Sequence, residues 1–377
     1  MRILHVVTLH SSDNAFGGPV RVALNLANEL TSQKNSVVLL AGSRGLYHTD
    51  TVEGVSAKLF PVQTIHPKLG FSGIFSWRLW IWAWRNVKSF DVVHLHLARD
   101  LVTLPVGLIA MLRKVPFVIQ GHGMIDPTNK LLGRILDRLF TRKLLLRAES
   151  ILYLTPTEEN DIKEVSRNHN AKMSFLPNGV PLGGMEYDHK ARYVSFISRL
   201  QDRKHPEIFV QMAAILNTRG SEYEFRIAGA DEGRLAQTLE AIRVTNLGAQ
   251  IEYLGSLEHE GVLELLSQTK ILVLPSVNEP FPMIILEALS QSVPVVITGS
   301  CGLAPYITKG KAGIVTDRSP ENIAEAVQTI MADIQTFSEN AQRLSRSDFS
   351  MTQIVEQLNQ HYELATHGKR NTTVTSE

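Results

Sequence analysis

The 377-residue chain lacks the features that would place it among disulfide-stabilised, membrane-spanning or polyanion-binding proteins. Its one cysteine, Cys301, excludes an intrachain disulfide framework and is typical of a reducing compartment. Its net charge of +1 gives no reason to expect a nucleic acid as partner. No apolar run reaches the length of a membrane span, because Arg, Asp or Lys interrupts each candidate. Met1 to Val7 already has the pattern of a strand, so we expect no signal peptide and a cytoplasmic protein.

The chain does have the apolar content, 44%, and the length for two domains of about 150–200 residues each. Short β-branched runs alternate with helical segments such as Pro19–Gln33, which is typical of parallel sheets. The predicted strands are Arg2–Thr8, Ser36–Ala41, Val92–His96, Phe117–Gln120, Ser150–Leu154, Tyr193–Ser198, Glu224–Ala228, Ile251–Leu254, Ile271–Leu274 and Val295–Ile297.

Turn-forming residues from Leu176 to Gly184 indicate a domain junction near 177–190. We therefore predict an α/β protein with two doubly wound domains that face each other across a cleft. The polar end of the chain is predicted to be disordered. The predicted segments are a first domain at 1–180, a second at 181–350, a helix at about 351–366 that packs back on the first, and a disordered tail at 367–377.

The segment from Leu272 to Thr298 carries the strongest functional signal. Glu279 and Glu287 stand in it with seven residues between them. Pro280 biases Glu279 away from helical geometry and Pro282 suits a first helical position, so a helix is predicted to begin near Pro282. The free N–H groups of its first turn attract a phosphate, and carboxylates on either side can accept hydrogen bonds from sugar hydroxyls. This combination suggests a nucleotide-sugar pocket.

Ligands in doubly wound folds bind beyond the carboxyl ends of the strands, so two loops of the first half are relevant. Leu9–Pro19 contains Gly17-Gly18 before a helix, which would let a ligand approach the backbone; taken alone, the pair is more often an ordinary strand-to-helix turn. The loop is not GxGxxG, which disfavours a nicotinamide oxidoreductase. His122 stands between two glycines, where ligand contact and a packed histidine are both open.

Two loops of the second half also follow predicted strands. Ser198–His205 contains Arg199 and Lys204, cations that can neutralise a diphosphate, although a solvated turn is the usual fate of such runs. Ala228–Gly233 has room for a nucleotide edge and is a weak signal by itself. Four such loops on two sheet edges, together with the paired glutamates, are a stronger signal than any one of them.

Taken in order, these motifs resemble those of the glycosyltransferases of family four, a retaining group with the GT-B fold. The resemblance covers nearly the whole chain, and its most specific element is the glutamate pair. A difference lies at Cys301–Pro305, where many members have glycines followed by an acidic residue. The matching residues are Gly17-Gly18 in FGGP, His122-Gly123, Asn178-Gly179-Val180, Arg199 and Lys204 in SRLQDRKH, and Glu279 and Glu287 in NEPFPMIILEA.

The resemblance implies a role for each residue of the glutamate segment. Glu287 is expected to accept hydrogen bonds from the ribose hydroxyls, and Glu279 to contact the sugar ring near its 3- or 4-hydroxyl. Backbone N–H groups beside them are expected to hold sugar and phosphate. Those groups belong to Phe281, Met283 and Ile284, with Pro282, which has none, between them.

The resemblance also implies roles outside that segment. Arg199 and Lys204 would neutralise the charge that builds on the leaving diphosphate. Gly17 and Gly18 would lie at the donor, and His122 on the reacting face close to the transferred sugar. The chain has no Asp-x-Asp motif, so the usual metal ligands for a diphosphate are missing, and we predict a metal-independent enzyme without a cofactor.

Transfer with retention is implied by the family and not by any residue. A covalent glycosyl intermediate would need a free carboxylate, as in retaining glycosidases. Because Glu279 is assigned to donor binding, we expect substitution on one face of the sugar, with the leaving phosphate oxygen taking the acceptor's proton. The predicted function is transfer from a nucleotide sugar to a lipid-linked or polysaccharide-precursor acceptor. The alternatives are another GT-B enzyme, such as a sugar phosphorylase or a nucleotide-sugar epimerase, and a non-catalytic binding subunit.

Two segments suggest peripheral contact with an anionic membrane. A basic, amphipathic segment places Lys130, Arg134, Arg138 and Arg142 at i, i+4 spacing; a surface helix with its apolar stripe in the core is the alternative. In a second helix, Trp82 falls beside Arg78 and Arg85 and is the candidate for a lipid interface. The face of that helix expected to lie in the core carries Trp77, Trp80, Trp84 and Val87.

Overall fold

The chain forms two compact units, which are described separately. The computed structural model describes residues 1–11, 17–45, 50–182 and 191–373. The first unit combines Met1–Gly179 with Met351–Glu377, and the second is Val180–Ser350. Of the predicted junction, residues 183–190 lie outside the described residues.

The first unit contains an eight-stranded sheet in the order β10-β9-β8-β7-β1-β2-β4-β3, parallel except for the β3–β4 pair. A short antiparallel pair, β5 and β6, stands apart from it. The strands are β1 Arg2–Ser11, β2 Ser36–Arg44, β3 Thr51–Val52, β4 Val55–Pro61, β5 Gln63–Thr64, β6 Ile74–Phe75, β7 Val92–His96, β8 Phe117–Gln120, β9 Ser150–Tyr153 and β10 Met173–Phe175. The helices are α1 Gly17–Ser32, α2 Trp77–Asn86, α3 Thr103–Leu112, α4 Leu131–Leu136, α5 Arg142–Arg147, α6 Pro156–Ser166 and, at the chain end, α14 Met351–Thr373.

The second unit contains a six-stranded sheet in the order β13-β12-β11-β14-β15-β16, with every pair parallel. Its strands are β11 Tyr193–Ile197, β12 Glu224–Ala228, β13 Ile251–Tyr253, β14 Thr269–Leu274, β15 Val295–Thr298 and β16 Gly313–Thr316. Its helices are α7 Pro206–Thr218, α8 Leu235–Val244, α9 His259–Ser267, α10 Met283–Ser290, α11 Ala304–Gly310, α12 Pro320–Ala332 and α13 Ile334–Asp348.

Both sheets are doubly wound, and the strand order reverses beside the first strand of each. The reversal lies between β1 and β7 in the first unit and between β11 and β14 in the second. These strands are buried along most of their length, as is usual for parallel strands covered on both faces. In doubly wound folds the loops that leave the carboxyl ends of the strands separate at the reversal, which is the usual position of a ligand.

Six strands of the described residues were not predicted: β3, β4, β5, β6, β10 and β16. The expected helix at 351–366 is α14, which packs against α1, β7 and β8 and is assigned to Thr373. The predicted disorder of the chain end stays a prediction. Residues 374–377 lie outside the described residues.

The expectation for the tryptophan-rich helix was wrong in part. Of the expected core face, Val87 is buried and Trp80 packs against the core. In α2 the buried residues are Leu79 and Ala83, and Trp82 packs against the core with its ring tilted toward Phe60 and Phe90. Trp77 and Trp84 are instead 49% and 46% exposed. The buried face therefore lies one residue from the predicted one, with Leu79 and Ala83 in place of Trp80 and Trp84, because small and aliphatic residues fit closest to the sheet.

The basic segment forms α4, one π-helical turn and α5. Its apolar residues divide: Leu136, Leu144 and Leu145 are buried, whereas an outer stripe is exposed, with Leu131 at 73%. That stripe consists of Leu131, Leu132, Ile135 and Leu139. Among the described residues, no helix has the length and apolar character required to span a membrane.

Candidate donor site in the second unit

The loops that follow β11 and β14 meet at the strand reversal of the second unit. The backbone N–H of Val277 donates to the carbonyl of Arg203 at 2.9 Å. Lys204 Nζ lies 2.8 Å from Glu279 Oε1, and Arg203 Nε lies 3.6 Å from the same oxygen. Two candidates from separate sequence motifs, Lys204 and Glu279, thus form one ion pair.

Both side chains of this ion pair are buried. Lys204 is 6% exposed and Glu279 is 5% exposed. Burial lowers the pKa of Lys204, the Glu279 carboxylate opposes that change, and the cations Arg203 and Arg199 add to the lowering. Because a buried charge without a partner is costly, the two side chains hold each other in their charged forms.

The backbone around Glu279 is fixed by the loop that follows β15. Asn278 has a φ of 52°, a left-handed conformation that asparagine tolerates better than most residues. Its N–H donates to Ser300 Oγ at 3.2 Å, and the N–H of Gly302 donates to the carbonyl of Glu279 at 2.8 Å. The Cys301–Pro305 segment, which differs from the family pattern, therefore supports Glu279 through its backbone.

The helix after Glu279 begins as its proline signals predict. Pro282 is the N-cap of α10, and Met283 and Ile284 are its first two residues. N–H groups at these positions have no acceptor within the helix and can meet an anion. The ring of Phe281 packs edge-on against Tyr306 and Phe349, so its side chain anchors the loop and only its backbone can serve a ligand.

Glu287 lies in the following turn of α10 and is buried. His259 Nδ1 stands 3.9 Å from Glu287 Oε1. His259 is the first residue of α9, just beyond the loop that follows β13. Our sequence reasoning missed it, although a histidine at a helix start after a predicted strand was a signal that could have been used.

Arg199 lies close to Lys204 but has another partner. Its guanidinium lies 2.6 Å from Glu232 Oε1, in the loop after β12. The two loops approach so closely at Gly229 that a Cβ there would lie 1.9 Å from the carbonyl oxygen of Ser198. With a φ of 147°, only glycine fits, so this contact fixes the position from which Arg199 leaves the sheet.

Candidate residues in the first unit

His122 occupies a strained turn after β8. Its φ is 52°, and the next residue, Gly123, also has a positive φ of 72°. The buried carboxylate of Glu158 holds this turn, because it accepts from the N–H of Gly123 at 2.6 Å and from the N–H of Leu154 at 2.7 Å. His122 Nε2 is 2.7 Å from His96 Nδ1.

Three more histidines lie behind His122, and our sequence reasoning missed them. His5 in β1 and His94 and His96 in β7 are fully buried at the strand reversal. The segment VVHLHL gave a usable signal: residues i and i+2 of a strand share one face, so two histidines in an otherwise apolar strand must be buried together.

Gly17 and Gly18 form the first two residues of α1, directly after the undescribed residues 12–16. A Cβ at Gly18 would meet no heavy atom of the described residues within 4 Å. Packing among those residues therefore does not require a glycine at this position.

Relationship to known families

Two family models match consecutive halves of the chain. Residues 16–183 match the model described as Glycosyltransferase Family 4, and residues 186–347 match Glycosyl transferases group 1. α-D-Kanosaminyltransferase from Streptomyces kanamyceticus is 25% identical over 340 residues, which are 81% of this chain and 87% of that protein.

A second relative and a solved structure extend the comparison. The D-inositol 3-phosphate glycosyltransferase of Corynebacterium urealyticum is 23% identical over 281 residues, 65% of this chain and 64% of that protein, so the aligned part spans less than two thirds of this relative. The crystal structure of Anabaena HepE in complex with UDP and glucose superposes with a TM-score of 0.74 at 17% identity, covering 96% of this chain and 98% of that one. The chain therefore belongs to the family-four and group 1 glycosyltransferases and has the GT-B fold.

Proposed function

We propose that the protein is a retaining glycosyltransferase that moves a sugar from a nucleoside diphosphate sugar to a lipid-linked or polysaccharide-precursor acceptor. The observation that carries the proposal is the buried Lys204–Glu279 pair beside the first turn of α10, with Glu287 in the next turn. Such a site offers hydrogen-bond acceptors for sugar and ribose hydroxyls and positive charge for phosphates. The solved HepE structure, which holds UDP and glucose, is in keeping with this donor class.

The roles divide along α10. Glu287 accepts hydrogen bonds from the ribose, and Glu279 accepts from a hydroxyl of the transferred sugar. The N–H groups of Phe281, Met283 and Ile284 hold sugar and phosphate oxygens. Their helix-end position favours negative charge by about 0.3–1 kcal/mol.

The leaving diphosphate is stabilised by cations instead of a metal ion. Lys204 is already buried beside the site, and Arg199 reaches it by exchanging its contact with Glu232 for a phosphate oxygen. Preorganised charges of this kind contribute more to such transfers than any other effect. Because these two cations supply the charge, we propose that the enzyme works without a divalent cation.

The reaction proceeds on one face of the sugar. The bond between the anomeric carbon and the phosphate oxygen breaks, the acceptor oxygen bonds to the same face, and the leaving phosphate oxygen takes the acceptor's proton. Glu279 is held by Lys204 at 2.8 Å and is not a free nucleophile. We expect mass spectrometry of the enzyme during turnover to detect no glycosyl adduct on Glu279, and finding one would replace this mechanism by double displacement.

The central experiment measures nucleoside diphosphate release from a panel of sugar nucleotides, with and without chelator. We expect sugar-dependent release that survives chelation and is abolished in Glu287→Ala. The matched control is Glu240→Ala, a surface glutamate of the same unit whose ion pair among the described residues is with Arg243 in its own helix. Normal release by Glu287→Ala would remove Glu287 from the site, and loss of activity with chelator would refute metal independence.

The acceptor proposal is supported by one helical layer of the first unit. The helix α2 packs on α3, and α3 on α5. The layer exposes Trp77, Ile81, Trp84, Leu112, Leu131, Leu132, Ile135, Leu139 and Leu146. The charged residues of α2, α3, α4, α5 and the π-turn are the cations Arg78, Arg85, Arg134, Arg138, Arg142, Lys143 and Arg147 and the single acid Asp137, which is buried.

Exposed apolar and aromatic side chains among cations match the surface of an anionic membrane. Arg142 is an exception, because its Nε donates to the carbonyl of Val165 at 2.8 Å. Liposome flotation tests the proposal: we expect binding to vesicles with anionic lipid, and weaker binding after Leu131→Ser with Leu139→Ser. The control is Leu239→Ser in α8, a leucine of the other unit whose exposure matches that of Leu139. Equal flotation of all variants, or none with anionic vesicles, would overturn it.

A further inference from the structure

The buried histidines form one continuous chain of hydrogen bonds in the first unit. The chain runs from His122 through His96, His5 and Tyr362 of α14 to His94. The distances are 2.7 Å from His122 Nε2 to His96 Nδ1, 3.0 Å from His96 Nε2 to His5 Nδ1, 3.2 Å from His5 Nε2 to the Tyr362 hydroxyl, and 2.7 Å from that hydroxyl to His94 Nδ1. The rings of His94, His96 and His122 also stack nearly parallel.

Burial favours the neutral form of all four imidazole rings in this series of hydrogen bonds. Burial lowers the pKa of His5 to about 3 and lowers the pKa values of His94, His96 and His122 as well. Burial also raises the pKa of Tyr362 well above its usual value. A neutral imidazole has one donor and one acceptor nitrogen, so the hydrogen bonds of the whole chain must point in one direction or in the other.

The inner end of the chain determines that direction. His94 Nε2 and Gln120 Oε1 are both buried, and neither has a hydrogen bond of normal geometry within the described residues. Gln120 pairs in register with His96 across the parallel strands β7 and β8, so its side chain lies on the same face of the sheet as His94 and His96. Since a carbonyl oxygen only accepts, the pair is satisfied when the proton of His94 lies on Nε2.

This assignment propagates through the chain. His94 Nδ1 then accepts from Tyr362, Tyr362 accepts from His5 Nε2–H, and His5 Nδ1 accepts from His96 Nε2–H. His96 Nδ1 in turn accepts from His122 Nε2–H. This direction of the hydrogen bonds leaves His122 Nδ1 without a proton, so Nδ1 can accept a hydrogen bond but cannot donate one.

We propose that His5, His94, His96, Gln120 and Tyr362 are positioning residues that hold His122 in its Nε2–H tautomer, and that His122 Nδ1 accepts a hydrogen bond from a sugar hydroxyl. Only the identity of that hydroxyl rests on the function proposed above. Glu158 supports the same arrangement from the other side of the turn by holding Gly123. Buried side chains thus fix which nitrogen of the half-buried His122 donates and which accepts.

A metal ion is the competing occupant of this region. His5, His94 and His96 offer ligand atoms that lie within 4.8 Å of one another. Both nitrogens of His5 and of His96 are already used at 2.7–3.2 Å by neighbouring rings and Tyr362, so a metal would have to replace those hydrogen bonds. Metal analysis of the purified protein is the first check, and one equivalent of zinc or another transition metal bound by these histidines would overturn the proposal.

The direct test is ¹⁵N NMR of the imidazole nitrogens in the wild-type, substrate-free protein. We expect the His122 pattern to show a proton on Nε2 and none on Nδ1. A proton on Nδ1 would refute the assignment whether or not the protein transfers sugar. If the tautomer is as stated but no sugar nucleotide binds or reacts, the chain of hydrogen bonds stands and the proposed function fails.

A variant pair tests whether the buried Tyr362 controls the tautomer of the half-buried His122. Tyr362→Phe removes the one hydroxyl of the chain, and we expect mixed tautomers at His122 and a kcat lower by about 2- to 10-fold, the worth of one hydrogen bond. Ser150→Ala is the control, because it removes another polar contact of α14, Ser150 Oγ to His361 Nδ1, without touching the chain. An unchanged His122 tautomer in Tyr362→Phe, or an equal change in Ser150→Ala, would refute positioning by Tyr362.

Discussion

The strand reversals of the two units have the same topology but opposite electrostatics. Beside β11 and β14, Lys204 and Glu279 remain charged and satisfy each other as an ion pair. Beside β1 and β7, His5 and His96 are neutral and satisfy each other as hydrogen-bonded rings. Buried ions need a partner of opposite sign and buried neutral groups need only a matching donor or acceptor, so the same position in a fold can specialise for phosphate charge or for hydroxyl groups.

The largest effect is expected from removing the charge of the second unit. Lys204→Met leaves Glu279 buried, with Arg203, at 3.6 Å, as its remaining ion-pair partner among the described residues. We expect nucleoside diphosphate release to fall by about 10²–10³-fold, as when a preorganised transition-state contact is lost. Urea unfolding should also show a loss of about 3 kcal/mol, the lower end for a broken buried pair, because Arg203 remains.

Lys309→Met provides the control for that change, because Lys309 is an exposed lysine on α11. It should alter neither quantity appreciably. If Lys204→Met keeps normal turnover, the charged site of the second unit does not stabilise the leaving group.

The next largest effect is expected from protonation of the buried histidines at the strand reversal of the first unit. The pKa of His5 is about 3 in the fold against 6.5 as its ordinary value. Below about pH 6.5 the unfolded chain therefore binds protons that the native state refuses, so the free energy of unfolding falls as the pH drops from about 6.5 toward 3. Above about pH 6.5 these histidines do not make the free energy of unfolding depend on pH.

Hydrogen exchange of backbone amides at about pH 7.5 and pH 5 measures this loss of stability separately in each unit. Amides of β1 and β7 should lose protection at the lower pH while those of β11 and β14 keep it. His5→Gln should reduce the pH dependence, because it removes one titrating group. Equal loss of protection in both units would show that the histidines do not distinguish them.

A smaller effect is expected at the turn that carries His122. Glu158→Gln replaces one accepting oxygen by an amide that cannot accept from the N–H of Gly123 or Leu154. We expect a loss of about 1–3 kcal/mol in urea unfolding, the cost of an unsatisfied buried group. The neighbouring Glu159→Gln, which removes only a surface pair with Lys163, should change stability by less than about 0.5 kcal/mol. Similar losses for both would mean that Glu158 does not hold the turn.

The smallest effect on stability is expected at the start of α1. A Cβ at Gly18 meets no described atom within 4 Å, so Gly18→Ala should be neutral or stabilising by about 0.4–1 kcal/mol. If this glycine serves the donor, KM for the sugar nucleotide rises while the melting temperature does not fall. An unchanged KM would show that a donor does not approach Gly18.

Much of the fold could be predicted because its signals are local. β7, β8 and β12 have the predicted bounds, and α10 begins within one residue of Pro282 because proline geometry is a property of the backbone. β10 and β16 were missed because short edge strands are specified by their neighbours more than by their own residues. The exposed face of α2 was misassigned because tryptophan is apolar in any environment, and only the shape of the sheet determines whether it fits there.

The candidate site was predictable in its residue types but not in its pairings. A cation-rich loop and a glutamate–proline segment indicate anion and sugar binding by their residue types alone. That Lys204 contacts Glu279, while Arg199 contacts Glu232, depends on which strands are neighbours. Likewise, His259 stands beside Glu287 because α9 and α10 pack together.

Local composition and spacing thus determined the α/β class, the helix start at Pro282 and the set of polar residues available for chemistry. Tertiary structure alone decided the neutral histidine chain, since His5, His96, His122 and Tyr362 are up to 357 positions apart. Hydrogen-bond direction and pKa depend on distances of a few ångströms between groups and on their separation from water. Those distances are fixed only when the sheet and the final helix pack together.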